Sequence, residues 1–211
     1  MGRRGLALLL GFAVAGCTHH VEPGPSHSKV PVAPITAQQV GDLMSKSVQD
    51  KDGNLFVTVE PDRCSGAARE VDPPLIVDLS PVATDGGHWV TDDSREVYIE
   101  ELAGVYPADF DARDAIAQAK RALESCRDVP FTVTSMRGRT YAFTLLQLSS
   151  PTPNVVLWSY RGSDWACDNA FVAAHNAAVE IATCSPVNGY DVLSLARDAL
   201  KRIERLANTT A

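Results

Sequence analysis

The sequence predicts an α+β domain in which helices pack on an antiparallel β-sheet, preceded by an export signal and a tether. Strand-like segments follow one another in groups and do not alternate strictly with helices, which favours an antiparallel sheet over a doubly wound one. The 211 residues are 45% hydrophobic and 21% charged, an ordinary globular composition with enough length for a substantial core. Four cysteines beyond the export signal add a framework of two disulfides to this prediction.

The first seventeen residues have the features of a bacterial lipoprotein signal. The Arg3-Arg4 pair gives a positive start, and the apolar stretch 6–14 that follows is too short to span a bilayer as a helix. The sequence then ends in the lipobox-like Val14-Ala15-Gly16-Cys17. We therefore expect a signal peptide over residues 1–16 and acylation of Cys17 with palmitate-type chains. The alternatives are an ordinary signal peptide with an incidental cysteine and, for the route, twin-arginine instead of general secretory export.

Residues 17–35 are predicted to be the lipidated cysteine and a tether. The segment is rich in proline and has no apolar periodicity, and such linkers are semi-extended at about 3.1 Å per residue. Its histidines, His19, His20 and His27, are interpreted as solvated linker residues, because a flexible linker offers a metal ion no fixed geometry. No metal site and no cofactor are predicted.

The charge balance restricts the partners of the protein. The formal net charge is −7, and removal of the signal peptide takes away two arginines and no acid, so the mature chain is more acidic still. An acidic surface argues against nucleic-acid binding and gains nothing from anionic lipid headgroups. We expect attachment to the extracytoplasmic face of the cell membrane through the N-terminal lipid alone.

Residues 36–211 are predicted to form one domain. A capping box, Thr36 with Gln39, begins a helix that extends towards Gly53. Residues 60–87 are punctuated by proline and glycine, which indicates turns and short elements. The other predicted elements are strands at Leu55–Val59, Val97–Tyr106, Phe131–Ser135, Thr140–Leu148 and Val155–Tyr160, a helix capped by Asp109 or Asp111 that runs to Cys126, a hairpin over residues 165–184, and a last helix from Val192 to Leu206.

The cysteine pairing follows from the proposed hairpin. With His175-Asn176 as its two-residue turn, residues that face each other have numbers summing to 351, and this places Cys167 opposite Cys184. The ladder makes them a non-hydrogen-bonded pair, with Cα atoms about 4.5 Å apart, within disulfide range. Cys64 and Cys126 remain to form the second disulfide. A zinc site would need more closely spaced cysteines.

The residues around this hairpin resemble a known family. The run Trp165-Ala166-Cys167, the turn Ala174-His175-Asn176, Cys184 and an amphipathic last helix are similar to the PknH-like extracellular sensor domain, over about residues 36–207. Members of that family are parts of mycobacterial serine/threonine kinases or stand-alone lipoproteins, and this chain has no kinase domain. The resemblance implies a mycobacterial lipoprotein with two disulfides, a sandwich-like α+β fold with a large cleft, and ligand sensing. Members often carry Asn-Asn in the turn, where this chain has His175-Asn176.

Two classes of function follow from these observations. The chain lacks the common hydrolase, metalloprotease and nucleotide-binding motifs, so we predict a non-catalytic binding protein with no catalytic residues. We expect its ligand to be a small molecule, a cell-wall component or a protein. The candidate ligand-binding residues are Trp89, Tyr98, Trp158, Trp165 and Asn176. The favoured alternative for the three tryptophans is that they complete the hydrophobic core.

The alternative is a cell-envelope hydrolase. It would use His88 or His175 with a serine such as Ser94 or Ser163, in a triad-like set. The acidic residues Glu96, Glu100 and Glu101 could supply an acid–base pair, but they are interpreted as the solvent side of their strand.

Overall fold

A computed structural model of the chain describes residues 33–49, 53–91 and 96–209. The signal peptide, Cys17 and the tether up to residue 32 lie outside this range. The described strands are β1 (Phe56–Glu60), β2 (Ala83–Val90), β3 (Tyr98–Val105), β4 (Pro130–Ser135), β5 (Thr140–Thr152), β6 (Val155–Arg161), β7 (Ala166–Ala174) and β8 (Ala177–Ser185). The α-helices are α1 (Ser65–Ala68), α2 (Pro74–Val77), α3 (Ala112–Ser125) and α4 (Val192–Thr209), and short 3₁₀ helices cover Ala37–Leu43 and Asp62–Cys64.

All of these strands join one antiparallel sheet in the order β1-β4-β5-β6-β7-β8-β3-β2. Consecutive strands from β4 to β8 are neighbours, as expected for strands joined by short hairpins. The predicted fold class, an antiparallel sheet with packed helices and two disulfides, is confirmed.

The hairpin β7–β8 has the predicted register. Ala174 pairs with Ala177 at the turn, and Cys167 pairs with Cys184 seven positions further along each strand. The two cysteines form a disulfide with Cα atoms 4.1 Å apart. His175 adopts a φ of 50° in the turn, the left-handed conformation that tight hairpin turns require.

The second disulfide joins Cys64 to Cys126, also as predicted. It connects the short helical segment after β1 to the C-terminal end of α3, across 62 residues of sequence. Helix α3 begins at an Asp111 cap, whose carboxylate accepts hydrogen bonds from the N–H groups of Arg113 and Asp114. In the chain-entropy model, a disulfide that closes a loop of this size stabilises the folded state by about 4 kcal/mol.

Both faces of the sheet are covered. On one face α3, α1 and α2 pack over a core that contains Tyr160, Phe171 and both disulfides. On the other face α4 and the segment Ala37–Leu43 cover Ile99, Val179 and Ile181. The even-numbered residues of β8 belong to the first face and its apolar odd-numbered residues to the second.

A buried ion pair between Glu101 on β3 and Arg202 on α4 holds this helix against the second face of the sheet. Glu101 has an exposed fraction of 0%, and the guanidinium of Arg202 on α4 donates to its two oxygens at 2.9 and 3.1 Å. The Ser45 N–H donates to the same carboxylate at 2.7 Å, and Arg202 also donates to the Leu43 carbonyl at 2.6 Å. The expectation that Glu101 lies on a solvent side is therefore wrong, because β3 is an interior strand covered on both faces.

The contacts of Arg202 and Glu101 also explain why the helix predicted from Thr36 towards Gly53 is shorter in the structure. The Thr36–Gln39 capping box is present, with the Thr36 N–H donating to the Gln39 side chain at 2.9 Å, but the helix it begins is a 3₁₀ helix that ends at Leu43. The carbonyl of Leu43 and the N–H of Ser45 are bound by Arg202 and Glu101, so this backbone turns across the sheet and does not continue as a helix.

Strand β2 was not predicted. Its sequence contains Gly86-Gly87, which indicates a turn, yet these glycines lie opposite Leu102 and Glu101 in a regular antiparallel ladder. A Cβ at position 86 would lie 2.6 Å from a Leu102 methyl carbon, so the glycine makes room for that side chain. Among the described residues no helix is both long and apolar enough to cross a bilayer.

Candidate functional site

A cavity of about 440 Å³ opens on the first face of the sheet, at the ends of β3 and β8 nearest the Cys167–Cys184 disulfide. Its lining combines aromatic rings, arginines at the rim and acidic residues. The lining residues are Gly53, Asn54, Leu55, Phe56, Glu70, His88, Tyr98, Ile99, Glu100, Arg137, Arg139, Tyr141, Trp165, Ala182 and Cys184. The concave shape and mixed lining are typical of a small-molecule site.

The strand register builds the floor of this cavity. His88 on β2 pairs with Glu100 on β3, and Glu100 pairs with Ala182 on β8, so these three residues form one row across the sheet. The next row contains Tyr98 and Cys184. Residues directly opposite each other project to the same face of an antiparallel sheet, which brings both rows to the cavity.

Glu70 approaches this floor from the segment after α1. Its carboxylate accepts a hydrogen bond from the Phe56 N–H at 2.8 Å, and its own N–H donates to the Phe56 carbonyl at 2.9 Å. Its other oxygen lies 3.8 Å from the Cys184 sulfur. Burial raises the pKa of Glu70 to about 7, even though the Phe56 hydrogen bond favours the charged form.

Two further carboxyl groups lie close to Glu70. Burial, together with the charges of Glu70 and Glu101, raises the pKa of Glu100 to about 9. Burial also raises the pKa of Glu180, and the charge of Glu70 adds to this shift, whereas the charge of Arg69 opposes it. Like charges that share a poorly solvated region disfavour one another's ionisation. Glu70 and Glu100 therefore form the acidic part of the floor, and Glu180 lies beside them on β8. We define these three residues as the acidic cluster, and their carboxyl groups hold protons more tightly than exposed ones.

The aromatic wall consists of Tyr98, Trp165 and Tyr141. The rings of Tyr98 and Trp165 have centroids 5.8 Å apart, and 46% of Tyr98 is exposed. The Arg139 guanidinium lies 4.7 Å from the centre of the Tyr141 ring and forms an ion pair with Asp164 at 2.7 Å. Exposed aromatic faces beside a cavity provide contact area for a ligand at little cost in conformational entropy.

Of the five candidate ligand-binding residues, the structure brings two to this cavity, Tyr98 and Trp165. Trp89 belongs to the core on the opposite face of the sheet. Trp158 is buried under α1, and its indole N–H donates to the Ala67 carbonyl at 2.7 Å.

The fifth candidate, Asn176, fastens the start of the domain to the hairpin turn. Its side-chain oxygen accepts from the Ile35 N–H, and its side-chain nitrogen donates to the carbonyls of Ile35 and Tyr106, all at 2.9 Å. The side chain is 5% exposed. These contacts give Asn176 a structural role.

The residues of the hydrolase alternative are dispersed. His88 lines the cavity, His175 lies at the exposed tip of the hairpin, and Ser163 donates to Asp164 at 3.2 Å. Ser94 lies outside the described residues. Within the described part of the chain no serine hydroxyl is hydrogen-bonded to either histidine, the geometry that a serine nucleophile would require.

The sequence does not predict the acidic cluster. Glu100 is predicted to face solvent, and no role is predicted for Glu70 or Glu180. One signal was available, since Glu180 interrupts the apolar strand 177–182, and a lone acid in such a strand is either solvated or part of a site.

The fold and cavity define a disulfide-stabilised α+β domain with a candidate ligand-binding site. The family model of the PknH-like extracellular domain matches residues 25–203, and the chain belongs to this family. The crystal structure of the extracellular domain of PknH from Mycobacterium tuberculosis has a similar fold, with a TM-score of 0.62 and 18% identity over 83% of this chain and 98% of that one.

Two further solved structures are more distant. An uncharacterised protein from Rhizobium leguminosarum matches with a TM-score of 0.28 and 10% identity over 61% of this chain and 97% of that one. CalU16 from Micromonospora echinospora matches with a TM-score of 0.26 and 11% identity over 59% and 86% of the respective chains. No curated protein matches the chain.

Proposed function

We propose that this protein is a lipid-anchored, non-catalytic binding protein of the cell envelope, and that its sensor-type domain binds a small molecule in the cavity beside Tyr98 and Trp165. Family membership supports a sensor-type domain outside the cytoplasm. One observation carries the ligand-binding proposal: aromatic rings line a cavity in which two buried polar atoms, His88 Nδ1 and one Glu100 carboxyl oxygen, have no hydrogen-bond partner among the described residues. Buried polar groups in folded proteins are normally paired, so unpaired ones in a cavity favour a ligand.

The binding proposal predicts that Trp165→Ala reduces the affinity of any cavity ligand at least tenfold, because the variant removes most of one wall. The measurement is a thermal-shift screen of small molecules, since a ligand that binds the folded state raises Tm by mass action. Leu146→Ala is the matched control: Leu146 is an exposed apolar strand residue, 57% accessible, that does not line the cavity. Hits whose Tm shift persists in Trp165→Ala would place binding elsewhere.

The anchor is proposed from the sequence of the first seventeen residues. We expect Cys17→Ala to abolish membrane retention and to leave an uncleaved or soluble product, because acyl chains contribute about 0.8 kcal/mol per buried CH₂ and would then be absent. Cell fractionation with lipid labelling measures this. Unchanged partition of the variant into the membrane would contradict the lipoprotein proposal, and Cys17 in the parent protein should carry the label.

A further inference from the structure

We propose that the ligand of the cavity carries an organic cation, an ammonium or guanidinium group, that binds against the carboxyl groups of Glu70 and Glu100. This inference rests on the proposed binding function and narrows the chemical class of the ligand. It depends on the placement of the acidic cluster, on buried polar atoms without a hydrogen-bond partner in the described structure, on the absence of an ion pair between the cluster and any described lysine or arginine, and on the aromatic wall.

The acidic cluster is contiguous. Glu100 pairs with Ala182, and Glu180 pairs with Leu102, so the two glutamates are diagonal neighbours on adjacent strands of one sheet face. Glu70 covers the same region from the segment after α1 and lines the cavity with Glu100. Glu180 lies beside them, close enough that Glu70 affects its pKa.

Several buried atoms around this cluster have no hydrogen-bond partner in the described part of the chain. They include one carboxyl oxygen each of Glu100 and Glu180, and Nδ1 of His88. Tyr160 is the most enclosed of the set: it is 0% exposed, its hydroxyl is unpaired, and the charges of Glu70 and Glu180 add to burial in raising its pKa. Of these residues, Glu100 and His88 line the cavity. An ammonium group, with three donors and no acceptor, would satisfy the unpaired Glu100 oxygen.

No described lysine or arginine forms an ion pair with the cluster. The charge of Arg69 lowers the pKa of Glu180, but its guanidinium donates to the Asp72 carbonyl at 2.7 and 3.2 Å. Arg139 at the rim is paired with Asp164. Buried carboxyl groups are normally either paired with a cation or protonated, so a cationic ligand would take the place of the proton.

The aromatic wall favours an organic cation over a metal ion. A cation within about 6 Å of an aromatic face is attracted to the ring, most strongly when it is desolvated. Tyr98 and Trp165 present such faces at the cavity. The described residues contain no group of three or more histidine, cysteine, aspartate or glutamate side chains with the spacing a metal ion requires.

Binding of a cation should release protons. With pKa values of about 7 and about 9, Glu70 is partly protonated and Glu100 is largely protonated near neutral pH, and a nearby cation favours their charged forms. Affinity should then rise with pH, by up to tenfold per pH unit for each proton released. The charged and titratable groups that face the two carboxyls are Arg69, His88, Tyr98, Arg137, Arg139, Tyr160 and Glu180.

The test is calorimetry on the full-length protein with 1,5-diaminopentane and agmatine, against the neutral isostere 1,5-pentanediol. We expect both cations to bind, the diol to bind at least tenfold more weakly, and the affinity of the cations to increase from pH 6 to pH 8. Titration in two buffers of different ionisation enthalpy should show proton release. Glu100→Gln should lower cation affinity at least tenfold, and the exposed Glu204→Gln on α4 should not change it.

The results that would contradict the organic-cation inference differ from those that would contradict the proposed binding function. No cation binding at millimolar concentration, equal binding of the diol, affinity that falls with pH, or equal competition by Ca²⁺ would overturn the organic-cation inference. Neutral or anionic compounds whose Tm shift depends on Trp165 would still support a binding cavity. If Glu100→Gln does not fold, proton release by the parent protein decides the question.

Discussion

Replacing Arg202 by alanine is expected to lower the free energy of unfolding by about 3 to 5 kcal/mol, the usual cost of leaving a buried charge without its partner. Arg202 is the cation that faces Glu101, which is 0% exposed, and it also binds the Leu43 carbonyl. Burial raises the pKa of Glu101 and Arg202 opposes that shift, so the variant should take up a proton at Glu101. The destabilisation should therefore be smaller at pH 5 than at pH 8.

Urea denaturation at both pH values measures this effect. Arg205→Ala is the matched control, because Arg205 lies on the same helix and is exposed, and surface substitutions usually change stability by less than about 0.5 kcal/mol. A loss for Arg202→Ala no larger than that of the control would show that the ion pair does not hold α4 on the sheet. The double variant Glu101→Leu with Arg202→Met should recover much of the stability, since apolar pairs can replace buried ion pairs.

The ligand-free protein is expected to lose stability as pH rises from about 5 to about 9, which lowers Tm by several degrees. Burial raises the folded-state pKa of Glu70 to about 7 and of Glu100 to about 9, both above the value an unfolded glutamate has. The folded state then binds protons more tightly than the unfolded state. The stability that the two protonated carboxyl groups contribute is fully present below the pKa of an unfolded glutamate. It is lost as the pH rises through the folded-state pKa values of Glu70 and Glu100.

Thermal unfolding across this pH range measures the slope. Glu100→Gln should make the dependence shallower, because it removes the group with the higher of the two pKa values, whereas Glu204→Gln on the exposed side of α4 should leave it unchanged. A Tm that is constant or rises between pH 6 and pH 9 would contradict the assignment of protonated carboxyls to the cavity floor.

The parts of the fold that could be predicted from sequence are those determined by local rules. The Cys167–Cys184 pairing follows from a two-residue turn and a fixed period of alternation, both of which can be counted along the chain. Helix α3 follows from its Asp111 cap and apolar periodicity. Strand β2 could not be predicted in this way, since its glycines are explained by the Leu102 side chain of another strand.

The candidate site was less predictable because it depends on how segments distant in sequence meet. The acidic cluster combines a residue from a short connecting segment with residues on two sheet strands, and nothing local distinguishes Glu100 from a solvent-facing glutamate. Tyr98 and Trp165 are two of five predicted ligand-binding residues, and the sequence does not separate them from Trp89 and Trp158, because a tryptophan can line a cleft or complete a core. The role of Glu101 depends on Arg202, 101 positions away in sequence.

The Asn176 side chain determines where mechanical load would enter the domain. Ile35 is held at the turn of the β7–β8 hairpin, and the Cys184 end of β8 that borders the cavity lies about seven residues, or roughly 23 Å, along the strand from that turn. A pull on the chain before Ile35 would thus act first on the turn end of the β7–β8 hairpin, whereas the cavity borders the other end of the same hairpin.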